Sequence, residues 1–115
     1  MTLNVNALTI KVNALASAAT WISAHTADPG TTGASEVTGG SYARQQTTWD
    51  AASGTGPVTR AGSQLTIPIP AGTTVTHIGL FTASTAGTFE GLVDTTDEVF
   101  GSGGNLLVTP TLSDG

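Results

Sequence analysis

The sequence contains no cysteine, and it has only three cationic residues against eight acidic ones. The absence of cysteine excludes disulfide scaffolds, thiolate metal sites and thiol nucleophiles. With a net charge of −5 and no cluster of lysine and arginine, neither nucleic acid nor a membrane is expected as a partner. No apolar run reaches the roughly 18 residues of a membrane span. No cationic residue precedes the apolar N-terminal stretch, so we expect no signal peptide and a protein that is made and kept, or assembled, in a cytoplasm.

The chain is rich in threonine and glycine. Roughly one residue in five is threonine, a β-branched type that suits a pleated surface, and 15 of the 115 residues are glycine. This length suits one hydrophobic core, so residues 1–115 are predicted to form a single domain. Because only 10% of the residues are charged, the surface permits association. We therefore expect the chain to pack against copies of itself or within a larger assembly.

One helix is predicted, over residues 3–19, followed by a β domain over residues 20–115. Apolar side chains in the first segment recur every three or four residues, at Val5, Leu8, Val12, Leu15 and Ala19. This spacing places them along one stripe of a helix, and several alanines raise the helix propensity of its second half. We expect this helix to cover an open face of a sheet.

The rest of the chain has the pattern of short strands separated by turns rich in glycine, proline and serine. Strands are predicted at 21–25, 42–51, 65–70, 75–83, 88–94 and 105–112. Leu65, Ile67 and Ile69 alternate with polar or proline residues, which predicts one buried face and an edge position. The strand at 75–83 is apolar on both faces and is predicted to be central. The fold class is therefore mainly β: an antiparallel β-sandwich or partly closed barrel with one N-terminal helix.

No arrangement of residues in the sequence points to catalysis. There is no nucleophile elbow, no phosphate-binding loop followed by lysine, and no pair of carboxylates at an informative spacing. His25 and His77 are interpreted as structural, and the acidic group Asp94, Asp97 and Glu98 as a solvated turn without calcium-loop spacing. We predict no enzymatic activity, no catalytic residues, no metal and no cofactor.

The scarcity of cations draws attention to two arginines. Arg44 follows Tyr42 on the same strand face, where its guanidinium can stack on the ring or pair with Asp28 or Glu36. The favoured hypothesis is an internal clamp on the loop at 26–40, because a loop of 15 residues needs anchoring. The alternative is a contact with another subunit or with the host surface, and Arg60 is a second candidate of this kind.

Ile67 is a further structural or interface candidate. Its position on the apolar face of the 65–70 strand places it in the core, or in an interface if that face is covered by a partner. Asp28 precedes Pro29 and Gly30, so its carboxylate is expected to cap backbone N–H groups in a turn.

Four blocks of the sequence carry a resemblance to known proteins. They are WISAHTADPGTTGASE at 21–36, GGSYARQ at 39–45, PAGTTV at 70–75 and IGLF at 78–81. In these blocks and their order, the chain resembles short virion proteins of tailed bacteriophages of actinobacteria. Proteins of this kind are described as tail-fibre-like or minor tail proteins, and some as head components. The resemblance covers most of the chain and implies a non-enzymatic structural protein of the virion.

The resemblance leaves two placements in the virion. The favoured one is capsid decoration, in which the chain cements neighbouring subunits of the major capsid protein as a homo-oligomer such as a trimer. It is favoured because a fibre shaft and a receptor tip are not expected to fit in 115 residues. The alternative is a tail-fibre or minor tail protein that contacts the host surface, with glycan binding as one form of contact. A carbohydrate-binding module is a third hypothesis, and it would need Trp21, Tyr42 and Trp49 to form an exposed platform.

Overall fold

The computed structural model describes residues 4–55 and 57–114. In chain order the elements are α1 (Val5–Ala18), β1 (Trp21–His25), β2 (Gln45–Gln46), β3 (Val58–Ala61), β4 (Leu65–Ile69), β5 (Thr73–Phe81), β6 (Phe89–Phe100), β7 (Gly104–Val108) and β8 (Thr111–Asp114). The prediction of a mainly β chain with an N-terminal helix is confirmed. The strands form several antiparallel sheets rather than a closed barrel.

The helix α1 begins where the sequence offers a cap. The side chain of Asn4 accepts a hydrogen bond from the N–H of Ala7 at 2.9 Å, which satisfies one of the free donors of the first turn. The helix ends at Ala18, and residue 3 of the predicted helix lies outside the described residues. Leu8 and Val12 are buried against Val58 of β3, so α1 packs on the β3–β8 pair.

The largest sheet has four strands in the order β2-β1-β5-β6. The prediction that β5 is central is confirmed, since it pairs with β1 on one side and β6 on the other. β4 pairs with β7 alone, as expected for a strand that contains Pro68. The inner face of the large sheet packs against β4, and Ile67 at the centre of that contact is 0% exposed.

Two predicted strands differ from the observed ones in length. The strand predicted at 42–51 is only Gln45–Gln46, with an isolated bridge at Trp49. Its two faces are both polar, so neither face drives the segment onto a sheet. The strand predicted at 105–112 is two strands, β7 and β8, because Pro110 between them lacks the N–H that a continuous ladder needs.

Two further corrections concern β3 and β6. Residues 58–61 form β3, which was not predicted from the sequence because four residues are too few to show the alternation of apolar and polar side chains typical of a strand. β6 runs on to Phe100, so Asp94, Asp97 and Glu98 lie in a strand and not in a turn. Threonine and valine favour the strand here, and the carboxylates are tolerated because β6 is at the edge of the sheet, in contact with water.

Candidate functional site: an arginine junction under the 26–40 loop

The loop at 26–40 folds back onto the strand that precedes it. The carboxylate of Asp28 accepts a hydrogen bond from the N–H of Gly30 at 2.8 Å, the turn geometry that its position before Pro29 suggests. On the return path, the N–H of Val37 donates to the carbonyl of Ala24 at 2.9 Å, and an isolated bridge joins His25 to Glu36. The loop therefore delivers Glu36 to the edge of β1.

Glu36 is held there by two side chains. Arg44 donates from Nε to Oε2 and from Nη2 to Oε1, both at 2.9 Å, which is the two-point geometry that matches guanidinium to carboxylate. The hydroxyl of Tyr42 donates to Oε2 at 2.7 Å. The same hydroxyl oxygen accepts from the N–H of Ala24 at 3.1 Å, so the group is tied to β1 as well.

Arg44 also holds the turn that follows β5. Its Nη1 donates to the carbonyls of Ala83 and Ala86 at 2.9 and 2.8 Å. The guanidinium carbon lies 3.5 Å from the centroid of the Phe81 ring, a stacked cation–π contact. Of the partners proposed from the sequence, Arg44 pairs with Glu36 and not with Asp28, and it stacks on Phe81 and not on Tyr42. Nothing in the local sequence pointed to Phe81, since it lies 37 residues away along the chain.

These contacts shift the pKa values of the two groups that face Arg44. Burial alone would raise the pKa of Glu36, but the hydrogen bonds from Arg44 and Tyr42 and the charge of Arg44 outweigh it and hold the pKa below its usual value. For Tyr42, burial and the adjacent Glu36 carboxylate both raise the pKa of the hydroxyl. The arginine junction, formed by Arg44, Glu36 and Tyr42, is thus an ion pair beside a phenol that stays protonated at neutral pH.

A second buried group lies beside the junction. His25 is fully buried; its Nδ1 donates to the carbonyl of Ala34 at 2.8 Å, and its Nε2 accepts from the hydroxyl of Ser23 at 2.7 Å. Its ring stacks on Phe81 at 6.3 Å between centroids. Gly79 lies against this group. A Cβ at that position would be only 2.5 Å from the Ser23 hydroxyl oxygen, so a larger residue would not fit there. Burial lowers the pKa of His25, so the imidazole is neutral and serves as a two-ended hydrogen-bonding brace.

We predict that the chain loses stability on acidification in two steps. For His25 the folded pKa is below 6.5, so the unfolded chain takes up the proton first and the free energy of unfolding falls as the pH drops below 6.5. For Glu36 the stability is complete above about 4.5 and is lost as the pH falls through the lowered folded pKa. Urea denaturation from pH 8 to pH 3 measures both steps.

Two variants separate the steps. His25→Gln should flatten the first and Glu36→Gln the second, while Glu90→Gln, at an exposed carboxylate, leaves Glu36 intact and should keep the acid step. A stability profile that is the same for Glu36→Gln and for the unaltered chain would contradict the assignment of the acid step to the junction.

The two histidines do not share a ligand site. His77 is directly opposite His25 on β5, but its Nδ1 is 2.7 Å from the hydroxyl of Thr76 and its Nε2 is 3.8 Å from a carboxylate oxygen of Asp94. Each ring is therefore occupied by different neighbours. Within residues 4–55 and 57–114, no group of three histidine, aspartate or glutamate side chains is placed to hold a metal ion.

The remaining site candidates lie apart from the junction. Arg60 donates to the carbonyls of Asp50 and Trp49 at 2.6 and 3.2 Å and to the side chain of Asn13 at 3.3 Å, so it ties α1 to the segment after β2. Ile67 lies in the core, on the opposite side of the large sheet from His25. The sequence therefore singled out both arginines and named the 26–40 loop for Arg44, but it indicated neither the turn after β5 nor the partners of Arg60.

The aromatic platform that a carbohydrate-binding module would need is not formed. Trp49 is buried, and its indole N–H donates to the carbonyl of Ala19 at 2.9 Å. The Tyr42 hydroxyl is committed to Glu36, and Trp21 is partly buried. Trp49 therefore lies in the core, whereas Trp21 and Tyr42 are only partly buried.

The polar side chains of these sites bond to the chain's own loops and strands, within a mainly β fold. A family model described as podophage GP4 fiber I protein gp80 matches residues 2–114, nearly the whole length. The chain belongs to this family. The prediction of a bacteriophage virion protein is thereby confirmed.

No curated protein and no solved structure matches the chain. In the described part of the chain, no helix is long and apolar enough to cross a membrane.

Proposed function

We propose that this chain is a non-enzymatic structural subunit of a virion fibre, attached to the tail and exposed to the host surface. The observation that carries the proposal is the family match, which extends over residues 2–114 and describes a fibre protein. The shape supports it: the chain measures 47 × 24 × 24 Å, and its radius of gyration of 14.7 Å exceeds the roughly 13.4 Å of a compact chain of this length. An elongated unit of this size suits one segment of a fibre.

Capsid decoration is the competing placement. It would make the major capsid protein the partner. The description of the family as a fibre protein weighs against it, and we therefore place the fibre first. The four sequence blocks support a phage of actinobacteria as the source.

We further propose that the working state is a homo-oligomer, with a trimer as the simplest arrangement around a fibre axis. Large apolar side chains remain exposed on α1, at Val5 and Ile10, away from β6 and β7. A chain with so few charges and so much exposed apolar surface is better accommodated in an assembly. Light scattering on the purified chain would give three times the 11.4 kDa chain mass for a trimer, and a mass of 11.4 kDa at all concentrations would contradict it.

Cryo-electron microscopy of intact virions labelled with Fab fragments against this chain tests the placement. We expect Fab density on tail appendages, with Fab from non-immune serum as the control. Regular Fab density over the head lattice would overturn the fibre assignment and establish decoration. The Fab should recognise the folded chain on the virion as it recognises the purified chain. If no Fab density appears anywhere on the virion, that result contradicts a virion location.

A further inference from the structure

β6 leaves one side of the large sheet without a neighbour. It is the outermost strand of the order β2-β1-β5-β6 and, with 12 residues, the longest of the described strands. Its inward N–H and C=O groups pair with β5, whereas no strand among residues 4–55 and 57–114 pairs with its outer side. A long open edge of this kind is a template for another strand, and proteins usually shorten or cover such edges.

The inner face of β6 is uncovered too. Val93 is directly opposite Ile78 on β5, and both side chains point to the same face of the sheet. Ile78 is 7% exposed because the opposite layer covers it, whereas Val93 is 56% exposed. Between β6 and residues 106–113 lies an open groove of about 860 Å³, floored by core side chains that include Leu80, Leu106 and Leu112. The sandwich therefore lacks a piece of its core at this edge.

Charge limits what can fill the groove. β6 carries four carboxylates, at Glu90, Asp94, Asp97 and Glu98, and no lysine or arginine follows Arg60 in the sequence. Glu90 and Glu98 line the groove. They are eight residues apart, about 26 Å along a strand, and so mark the two ends of the open edge. The groove thus combines an apolar floor with acidic ends.

A second copy of this chain is a poor occupant for the groove. Antiparallel pairing of two β6 strands about Asp94 would set Glu90 against Glu98 and the two Asp94 carboxylates against each other, and like charges opposite one another destabilise a strand pair. The strands β4 to β8 of a second copy bring no lysine or arginine to meet these carboxylates. Charge complementarity favours a basic partner instead.

We infer that β6 and the adjoining groove accept an extended, basic segment of another virion protein, which adds to the large sheet as a fifth strand. About nine residues span the edge from Glu90 to Glu98. Alternate apolar side chains of the segment would cover Val93 and the groove floor, and lysine or arginine would meet the carboxylates. This surface belongs to the folded chain itself and does not depend on where in the virion the chain lies.

A pair of synthetic peptides tests the charge requirement. The probe is a nine-residue peptide of alternating lysine and valine with blocked ends, and its control alternates glutamate and valine. Isothermal titration calorimetry at low salt should show the lysine peptide binding at least tenfold more tightly, with the difference reduced at 0.3 M salt. Equal binding of the two peptides, or no binding of the lysine peptide, would overturn the inference.

Variants of the chain locate the contact. The double variant Glu90→Gln and Glu98→Gln should weaken the lysine peptide at least tenfold, whereas Asp50→Asn removes an exposed carboxylate away from the groove and should change the affinity less than twofold. Both variants alter exposed side chains, so far-ultraviolet circular dichroism should be unchanged. An equal loss with Asp50→Asn would show attraction to net charge alone and would sink the proposed site.

Backbone methylation tests strand addition. Two lysine–valine peptides are compared, one with N-methyl groups at the odd positions and the other at the even positions. In one of them the N–H groups that would face β6 are blocked, and in the other they are free. One of them should bind at least tenfold more weakly than the other, and hydrogen exchange should slow at amides of 89–100 only with the one that binds. Equal affinity of the two methylated peptides would overturn strand addition.

The oligomeric state of the chain tests the choice of partner. If the chain forms a dimer and the Val93→Asp variant is a monomer, the occupant of the groove is a second copy and the basic partner is overturned.

Discussion

Ile67→Asp is expected to prevent folding at 25 °C. Ile67 is completely buried at the centre of β4, and its neighbours across the sandwich are apolar. Leaving an unpaired carboxylate there costs several kcal/mol, and loss of the isoleucine contacts costs about 2–5 kcal/mol more. Together these approach the roughly 5–15 kcal/mol that a whole domain has. Circular dichroism and urea denaturation of the purified variant measure the effect.

The adjacent residue provides a matched control. Thr66 lies on the same strand with its side chain exposed, so Thr66→Asp adds the same charge to water and should change the free energy of unfolding by about 0.5 kcal/mol or less. If Ile67→Asp folded normally but no longer assembled, its side chain would be at an interface and the description of the core would be wrong.

Arg44→Ala is expected to cost about 3–5 kcal/mol, the range for breaking a buried pair and leaving one charge behind. The Arg44 side chain is 9% exposed and that of Glu36 22%, so water replaces little of what is lost. The carbonyls of Ala83 and Ala86 also lose their donor. Urea denaturation gives the size of the loss, and limited proteolysis should show new cleavage in the 26–40 loop and in the turn at 82–88.

Two further variants separate the parts of this effect. Arg44→Lys keeps the charge but cannot bond both oxygens of Glu36, so it should lose less stability than Arg44→Ala. Arg60→Ala removes the other arginine, whose hydrogen bonds go to the carbonyls of Asp50 and Trp49, and should leave protease cleavage in the 26–40 loop unchanged. If Arg44→Ala left that loop as resistant as before, the junction would not be what anchors it.

The parts of this fold that followed from sequence are those with a local physical signal. The alternation of Leu65, Ile67 and Ile69 has the period of a strand, and burial of one face depends on that period alone. The turn at Asp28 and the edge position of a strand containing Pro68 likewise depend on chemistry within a few residues.

The parts that did not follow depend on partners far away along the chain. The length of the strand within 42–51 depends on how many residues of β1 are free to pair with it. The polar side chains of the segment do not indicate that number. The carboxylates of β6 suggest a solvated turn in sequence, because composition cannot tell an exposed edge strand from a loop. Phe81 and the carbonyls under Arg44 come from segments 37 to 42 residues away.

The sequence by itself determined the class of fold, the absence of thiol chemistry, the acidic character and the presence of a scarce arginine next to the 26–40 loop. Only the tertiary structure decided that Arg44 joins that loop to the turn after β5, and that β6 has an open edge beside an uncovered groove. The reason is physical: propensity, turn chemistry and charge balance are properties of short segments, whereas ion-pair geometry and strand edges exist only once distant segments have come together.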